Sequence, residues 1–274
     1  MKLAKRIAAV LLIIAAVLFG IRAYWTVSNG IDGAKEFFYG FVGKEAAPSA
    51  SDGYSNIDGF VTQTKRIPLA GVNTISLEID AAIVSLRTGG SNEIVVEAKY
   101  GEKSFFAENV FIAESKSGTA TISFKMKNFV FSFGERNRNR ASNITVTIPA
   151  SFSGNLKLDF NACTVDGVTG NAKSISLGVN AGAINLRGIS GSLTASMNAS
   201  DSSFTVQNPA GNISISLTAG KTVINLPLKS NYRISNSTTA GKFTNNYDSA
   251  VNRTGKEFAL NATGTAAQIE VNAR

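Results

Sequence analysis

Residues 175–186 read ISLGVNAGAINL: an alternating strand, then Asn180-Ala181-Gly182, then a second alternating strand. The figure recurs along the chain. Leu156–Phe160 leads to Asn161-Ala162-Cys163 and Val165, and Leu193–Met197 leads to Asn198-Ala199-Ser200 and Phe204–Val206. Ile213–Leu217 leads to Thr218-Ala219-Gly220 and Val223–Leu226, and Tyr232–Asn236 to Thr239-Ala240-Gly241 and Phe243. Phe258–Leu260 leads to Asn261-Ala262-Thr263 and Ile269–Val271, while Asp80-Ala81-Ala82 is an earlier, weaker copy. The positions Asn161, Asn180, Asn198, Thr218, Thr239 and Asn261 stand 18 to 22 residues apart.

Strict alternation predicts strands with one apolar face. Units this small cannot bury that face alone, but stacked copies form a continuous core. Strands stacked about 4.8 Å apart would align the six corner residues as a structural ladder. Ala and Gly beside them allow a tight bend and close approach between neighbouring turns. The expected fold is therefore all-β, a β-solenoid or β-roll of about 20-residue repeats. An antiparallel sandwich would use the same alternation. Recurrence of the corner residues, which hairpins do not require, favours stacking.

Residues 64–274 form the expected exported repetitive β-domain, with short strands at Ile75–Ile79, Ile83–Leu86 and Ile94–Ala98. A looser stretch, Gly101–Asn143, interrupts the pattern before Ile144–Ile148 restarts it. Upstream, Ile7–Ile21 is an unbroken apolar run behind Lys2, Lys5 and Arg6. Extended to Trp25 it is long enough for a transmembrane signal anchor if Arg22 snorkels to the interface. The positive-inside rule then places Met1 in the cytoplasm and the β-domain outside. The competing reading is a cleaved signal peptide and a secreted product, although no good small-x-small site follows the run. The expected organisation is a cytoplasmic tip and anchor at 1–25, a juxtamembrane segment and linker at 26–63, and the β-domain thereafter.

Half of the formal charge of +8 lies at the anchor. Removing Lys2, Lys5, Arg6 and Arg22 from 27 basic residues leaves 23 against 19 acidic ones, which does not point to nucleic acid. One cysteine, Cys163, excludes an intramolecular disulfide and reads as a small packed corner residue. Histidine is absent, which removes the usual general base, the commonest zinc ligand and His-based triads. No motif implies a cofactor or a metal site.

Two candidate chemistries remain. Phe129, Phe131 and Phe133 precede Arg136, Arg138 and Arg140, a combination suited to an anionic cell-wall polymer, a lipid surface or another envelope protein. The plain structural alternative is a Phe-rich cap over the open end of the stack. The carboxylates Asp159, Asp166 and Asp201 would be the acids of a polysaccharide-acting β-helix enzyme, although they stand apart in sequence.

The strand–(Asn/Thr)-Ala-Gly–strand units behind an N-terminal apolar segment resemble the bacterial putative-adhesin domain of unknown function. The likeness spans residues 64–274 and is best over 154–243, with Cys163 and Ser200 departing from Gly at the third corner position. It implies a membrane-anchored cell-envelope protein with a β-solenoid exported part, a binding or scaffolding role and no enzymatic activity. An accessory subunit of an envelope-stress regulatory system is a further alternative.

Overall fold

The structure is a computed structural model that describes residues 60–101, 103–104, 107–127, 142–247 and 255–274. The expected anchor at 7–25 and the Phe129–Arg140 cluster lie outside the described residues. Among those residues every regular element is a strand. No helix there is long and apolar enough to cross a membrane.

In chain order the strands are β1 (Phe60–Pro68), β2 (Thr74–Asp80), β3 (Ala82–Gly89) and β4 (Glu93–Gly101). Then come β5 (Lys103–Ser104), β6 (Ala107–Lys116), β7 (Thr119–Lys127) and β8 (Ser142–Pro149). Next are β9 (Asn155–Asn161), β10 (Cys163–Val168), β11 (Ser174–Ile189) and β12 (Ser192–Val206). The last four are β13 (Ile213–Leu226), β14 (Tyr232–Thr238), β15 (Lys242–Asn245) and β16 (Phe258–Ala273). β1 begins four residues before the expected domain boundary at Thr64.

The repeats pair in parallel and in register. Ile175 lies between Leu156 and Leu193, and Leu193 lies next to Ile213. Each repeat crosses the stack twice, once before its corner and once after it. β11, β12, β13 and β16 make both crossings as single bent strands, whereas β2/β3, β9/β10 and β14/β15 break at the corner. Alternation then does the packing: Ile175, Leu177 and Val179 point inward, as do Leu193, Ala195 and Met197 one rung away. Beyond the corner, Leu86, Leu186, Phe204, Ile224 and Val271 continue the buried core.

Spatial order departs from chain order at both ends. β16 runs between β13 and the pair β14/β15, so the C-terminal strand lies inside the stack. At the other end β2/β3 lies between β7/β8 and β9/β10. The supposedly loose Gly101–Asn143 stretch contains the antiparallel hairpin β6–β7, whose β7 pairs in parallel with β2. β4 and then β1 continue antiparallel from β8. Tyr100 packs edge-on against Phe111 and Phe124, with centroids 6.2 and 5.4 Å apart, and so covers the apolar end there.

The corner sets the tightest steric limit. Ala82, Cys163, Gly182, Ser200, Gly220 and Ala267 form one row at the third corner position. Gly220 has φ +118°, and a Cβ there would meet the Ser200 carbonyl oxygen at 2.1 Å. Only glycine fits that backbone at that distance. Ser200, between two glycines, is buried with its hydroxyl unpartnered in the protein. Two residues on, Ser202 and Thr222 interrupt the apolar row and bond to each other at 2.7 Å. Asp201 faces the other way, accepts the Lys221 backbone N–H at 3.1 Å and leaves Oδ2 unpartnered. Burial pushes its carboxyl pKa up, against the smaller opposing pull of Lys221.

Two outcomes follow from these contacts. Gly220→Ala is expected to cost about 1–3 kcal/mol in thermal or urea unfolding. Gly90→Ala, which enters open space, should stay within about 0.5 kcal/mol; equal effects would contradict the corner geometry. Asp201 has a raised folded-state pKa, so its share of stability is full below the unfolded carboxyl pKa. That share is lost as pH rises through the folded value. Asp201→Asn should therefore raise Tm at pH 7 and flatten that part of the pH profile, and a lowered Tm at pH 7 would contradict the assignment.

Candidate functional site

The corner residues form a continuous outer row. Asp80 is in register with Asn161. Asn180, Asn198 and Thr218 follow, fixed by the pairs on either side of them. Asn180 donates to the Asn161 side-chain oxygen at 3.4 Å, and Asn198 donates to that of Asn180 at 3.0 Å. The amides thus bond rung to rung along the stack.

Asn261 is not in this row. The corner of β16 is Thr265-Ala266-Ala267, four residues later, and Asn261 lies beside Ser214 and Ser235. Thr239-Ala240-Gly241 stands next to the Thr265 corner, with the Thr239 N–H donating to the Gly264 carbonyl at 2.8 Å. The second corner position is alanine in seven rungs: Ala81, Ala162, Ala181, Ala199, Ala219, Ala266 and Ala240.

The three carboxylates of the enzymatic reading do not converge. Asp159 faces outward before its corner on β9, whereas Asp166 and Asp201 lie after theirs on β10 and β12. Asp166 is engaged by Asn185 at 2.6 Å and Arg187 at 2.9 Å. Cys163 is fully buried, its thiol 3.2 Å from the Ile79 carbonyl oxygen, and burial pushes its pKa up to about 12. It is a packed corner residue with no accessible thiolate at neutral pH.

What the structure adds is a groove of about 440 Å³ on the outer face just before the corners. Its floor is a row two residues ahead of each corner: Glu78, Asp159, Gly178 and Ser196. One wall is the corner row itself, Asp80, Asn161, Asn180 and Asn198, and Lys125 of β7 closes one end. Side-chain size falls along the floor from Glu78 to Gly178, which opens the depression. A Cβ on Gly178 would meet Asp159 Oδ1 at 2.7 Å, so glycine also makes room for that carboxylate.

Lys125 Nζ is 2.8 Å from Glu78 and Lys157 Nζ is 3.5 Å from Asp159. The Lys125 hydrogen bond and charge hold the Glu78 carboxyl below its usual range, and Glu78 raises Lys125 in return. Beyond the groove the rows nearest the corner continue without charge over β13, β16 and β14 through Ser214, Ser216, Thr218, Thr263 and Ser237, all exposed, while Arg233 of β14 lies farther from the corner beside Glu257. The sequence carries the signal for this groove as a fixed offset: residues 78, 159, 178 and 196 each precede a corner residue by two. It becomes visible only once the corners are aligned in space.

No family model and no curated protein matches the chain. A putative cell adhesion protein from Clostridium sporogenes superposes with a TM-score of 0.51 at 12% identity, covering 78% of this chain and 100% of that one. A putative adhesin from Bacteroides fragilis gives 0.33 at 12% identity, covering 80% and 100%. Another from Parabacteroides distasonis gives 0.23 at 14%, covering 78% and 98%. The chain shares the all-β fold of the Clostridium protein, in line with the resemblance read from its repeats.

Proposed function

We propose that the chain is a non-enzymatic, membrane-anchored cell-envelope protein whose exported β-solenoid is an adhesin-like binding or scaffolding domain. The observation that carries this reading is the outer face of the parallel stack. It presents short polar side chains on successive rungs, bordered by a groove in which Glu78 and Asp159 are each paired with a lysine. Ion-paired carboxylates on a rigid sheet offer fixed contact points, whereas general acid catalysis needs a carboxyl kept protonated near neutral pH. The fold shared with a putative cell adhesion protein of Clostridium sporogenes is in keeping with the same role. The apolar run behind three basic residues supports the anchor.

The full chain, tagged at both ends and expressed in a bacterial host, should fractionate with membranes. Protease added to spheroplasts should remove the C-terminal tag and spare the N-terminal one. Solubilised in detergent, it should be retained on isolated envelope material above an unrelated single-pass protein. Recovery of both tags in the soluble lysate, with no retention, would contradict the proposal.

A further inference from the structure

We propose that the corner groove binds a neutral, extended, β-1,4-linked polysaccharide laid along the stack axis; this rests on the envelope-binding reading and names the ligand class. Three features of the groove argue for it: repeat distance, hydrogen-bonding valence and charge.

The rungs repeat at about 4.8 Å along the axis, close to the advance of one sugar in an extended β-1,4-linked chain. A strand of sugars lying along the groove therefore meets an equivalent set of side chains at each residue. Four rungs line it, those of β2, β9, β11 and β12.

The corner amides supply the matching chemistry. A primary amide has two N–H donors and two oxygen lone pairs. In the row Asn161–Asn180–Asn198, Asn180 uses one N–H toward Asn161 and one lone pair toward Asn198. At least one donor and one acceptor then remain on each amide. A sugar hydroxyl pair needs that same combination, since each hydroxyl both gives and takes a hydrogen bond. Glu78 and Asp159 add acceptors, because a carboxylate has about four lone-pair sites and one lysine contact occupies one. Gly178 and Ser196 leave space for a pyranose ring on the floor.

Charge then selects among polymers. The lining holds Glu78, Asp80 and Asp159 against Lys125, with Lys157 beside Asp159; three carboxylates against two lysines disfavour a polyanion. The corner-side rows that continue beyond are uncharged and hydroxyl-rich. The described groove therefore points away from the anionic wall polymer expected of the Arg136–Arg140 stretch and toward a neutral glycan.

The test uses the full chain in a sugar-free detergent, titrated calorimetrically with cello- and chito-oligosaccharides from dimer to hexamer and with polygalacturonate. Affinity for at least one neutral series should rise from dimer to tetramer and level off, since four rungs line the groove; polygalacturonate should bind at least tenfold more weakly. Ser196→Arg fills the floor from an exposed position and should cut hexamer affinity at least tenfold without changing Tm. Gln207→Arg, exposed on the return side, should leave it unchanged. If Ser196→Arg lowers Tm, Asn180→Ala serves as the second variant with the same expected loss.

Absence of binding by both neutral hexamers, binding indifferent to both groove variants, or preference for polygalacturonate would overturn the assignment. Envelope retention surviving while neither hexamer binds would sink the glycan proposal alone. Hexamer binding sensitive to Ser196→Arg without envelope retention would support the groove and strike the envelope reading.

Discussion

Everything in this molecule depends on turning a strand at a corner while the next copy of that corner lies about 4.8 Å away. Backbone pairing fixes the spacing, and the spacing limits what the corner may contain. At the third corner position the row is Ala82, Cys163, Gly182, Ser200, Gly220, Ala267 and Gly241. A Cβ at Gly182 would meet the Cys163 carbonyl oxygen at 2.0 Å, and one at Gly241 would meet that of Ala267 at 2.1 Å. Where the row admits a side chain it is small, which is why the single cysteine ends up buried and inert. The same constraint lines up the residue two before it, giving the exposed amide row its repeat.

The ends of the stack obey a different requirement, because a terminal rung is covered on one side only. β16 places Leu260, Ala262 and Gly264 inward, a set buried from both sides. β14 places Tyr232, Ile234, Asn236 and Thr238 there, and Asn236 is exposed. A rung with polar inward positions suits the outside, so the later strand takes the inner place. Tyr247 helps close that end, its hydroxyl donating to the Ser230 carbonyl and lying 3.0 Å from the Ser230 hydroxyl. At the opposite end Tyr100, Phe111 and Phe124 fill the corresponding space.

Much of this was legible in the residues. The alternation and the repeating corner gave strands, spacing and five of the six expected corner positions. Asn261 misled because Asn-Ala-Thr imitates the motif, while the true corner, Thr265-Ala266-Ala267, follows inward Ala262 and Gly264, which hide the apolar period. Spacing carried only part of the signal. Asn161, Asn180, Thr239 and Thr265 each precede an inward apolar residue, Val165, Ile184, Phe243 and Ile269, by four. Asn198 and Thr218 precede polar Ser202 and Thr222 at that distance, so Thr265 four residues after Asn261 gave no warning. The order of rungs was not legible, since side chains that repeat on every rung fit any neighbour equally. The groove was not legible either, because Glu78 and Asp159 are 81 residues apart and meet only through β2–β9 pairing.

The binding role proposed for the outer face depends on the in-register parallel pairing, so the register is the claim to test. Paired cysteines report it directly, because a disulfide needs Cα atoms about 4.4–6.8 Å apart, and buried Cys163 stays out of the reaction. Under mild oxidation of the folded chain, Thr218→Cys with Thr265→Cys should form a disulfide nearly completely. Thr218→Cys with Asn261→Cys, displaced four residues along the strand or roughly 13 Å, should not. The reverse outcome, or no cross-link in either pair, would contradict the stacked corners on which the account rests.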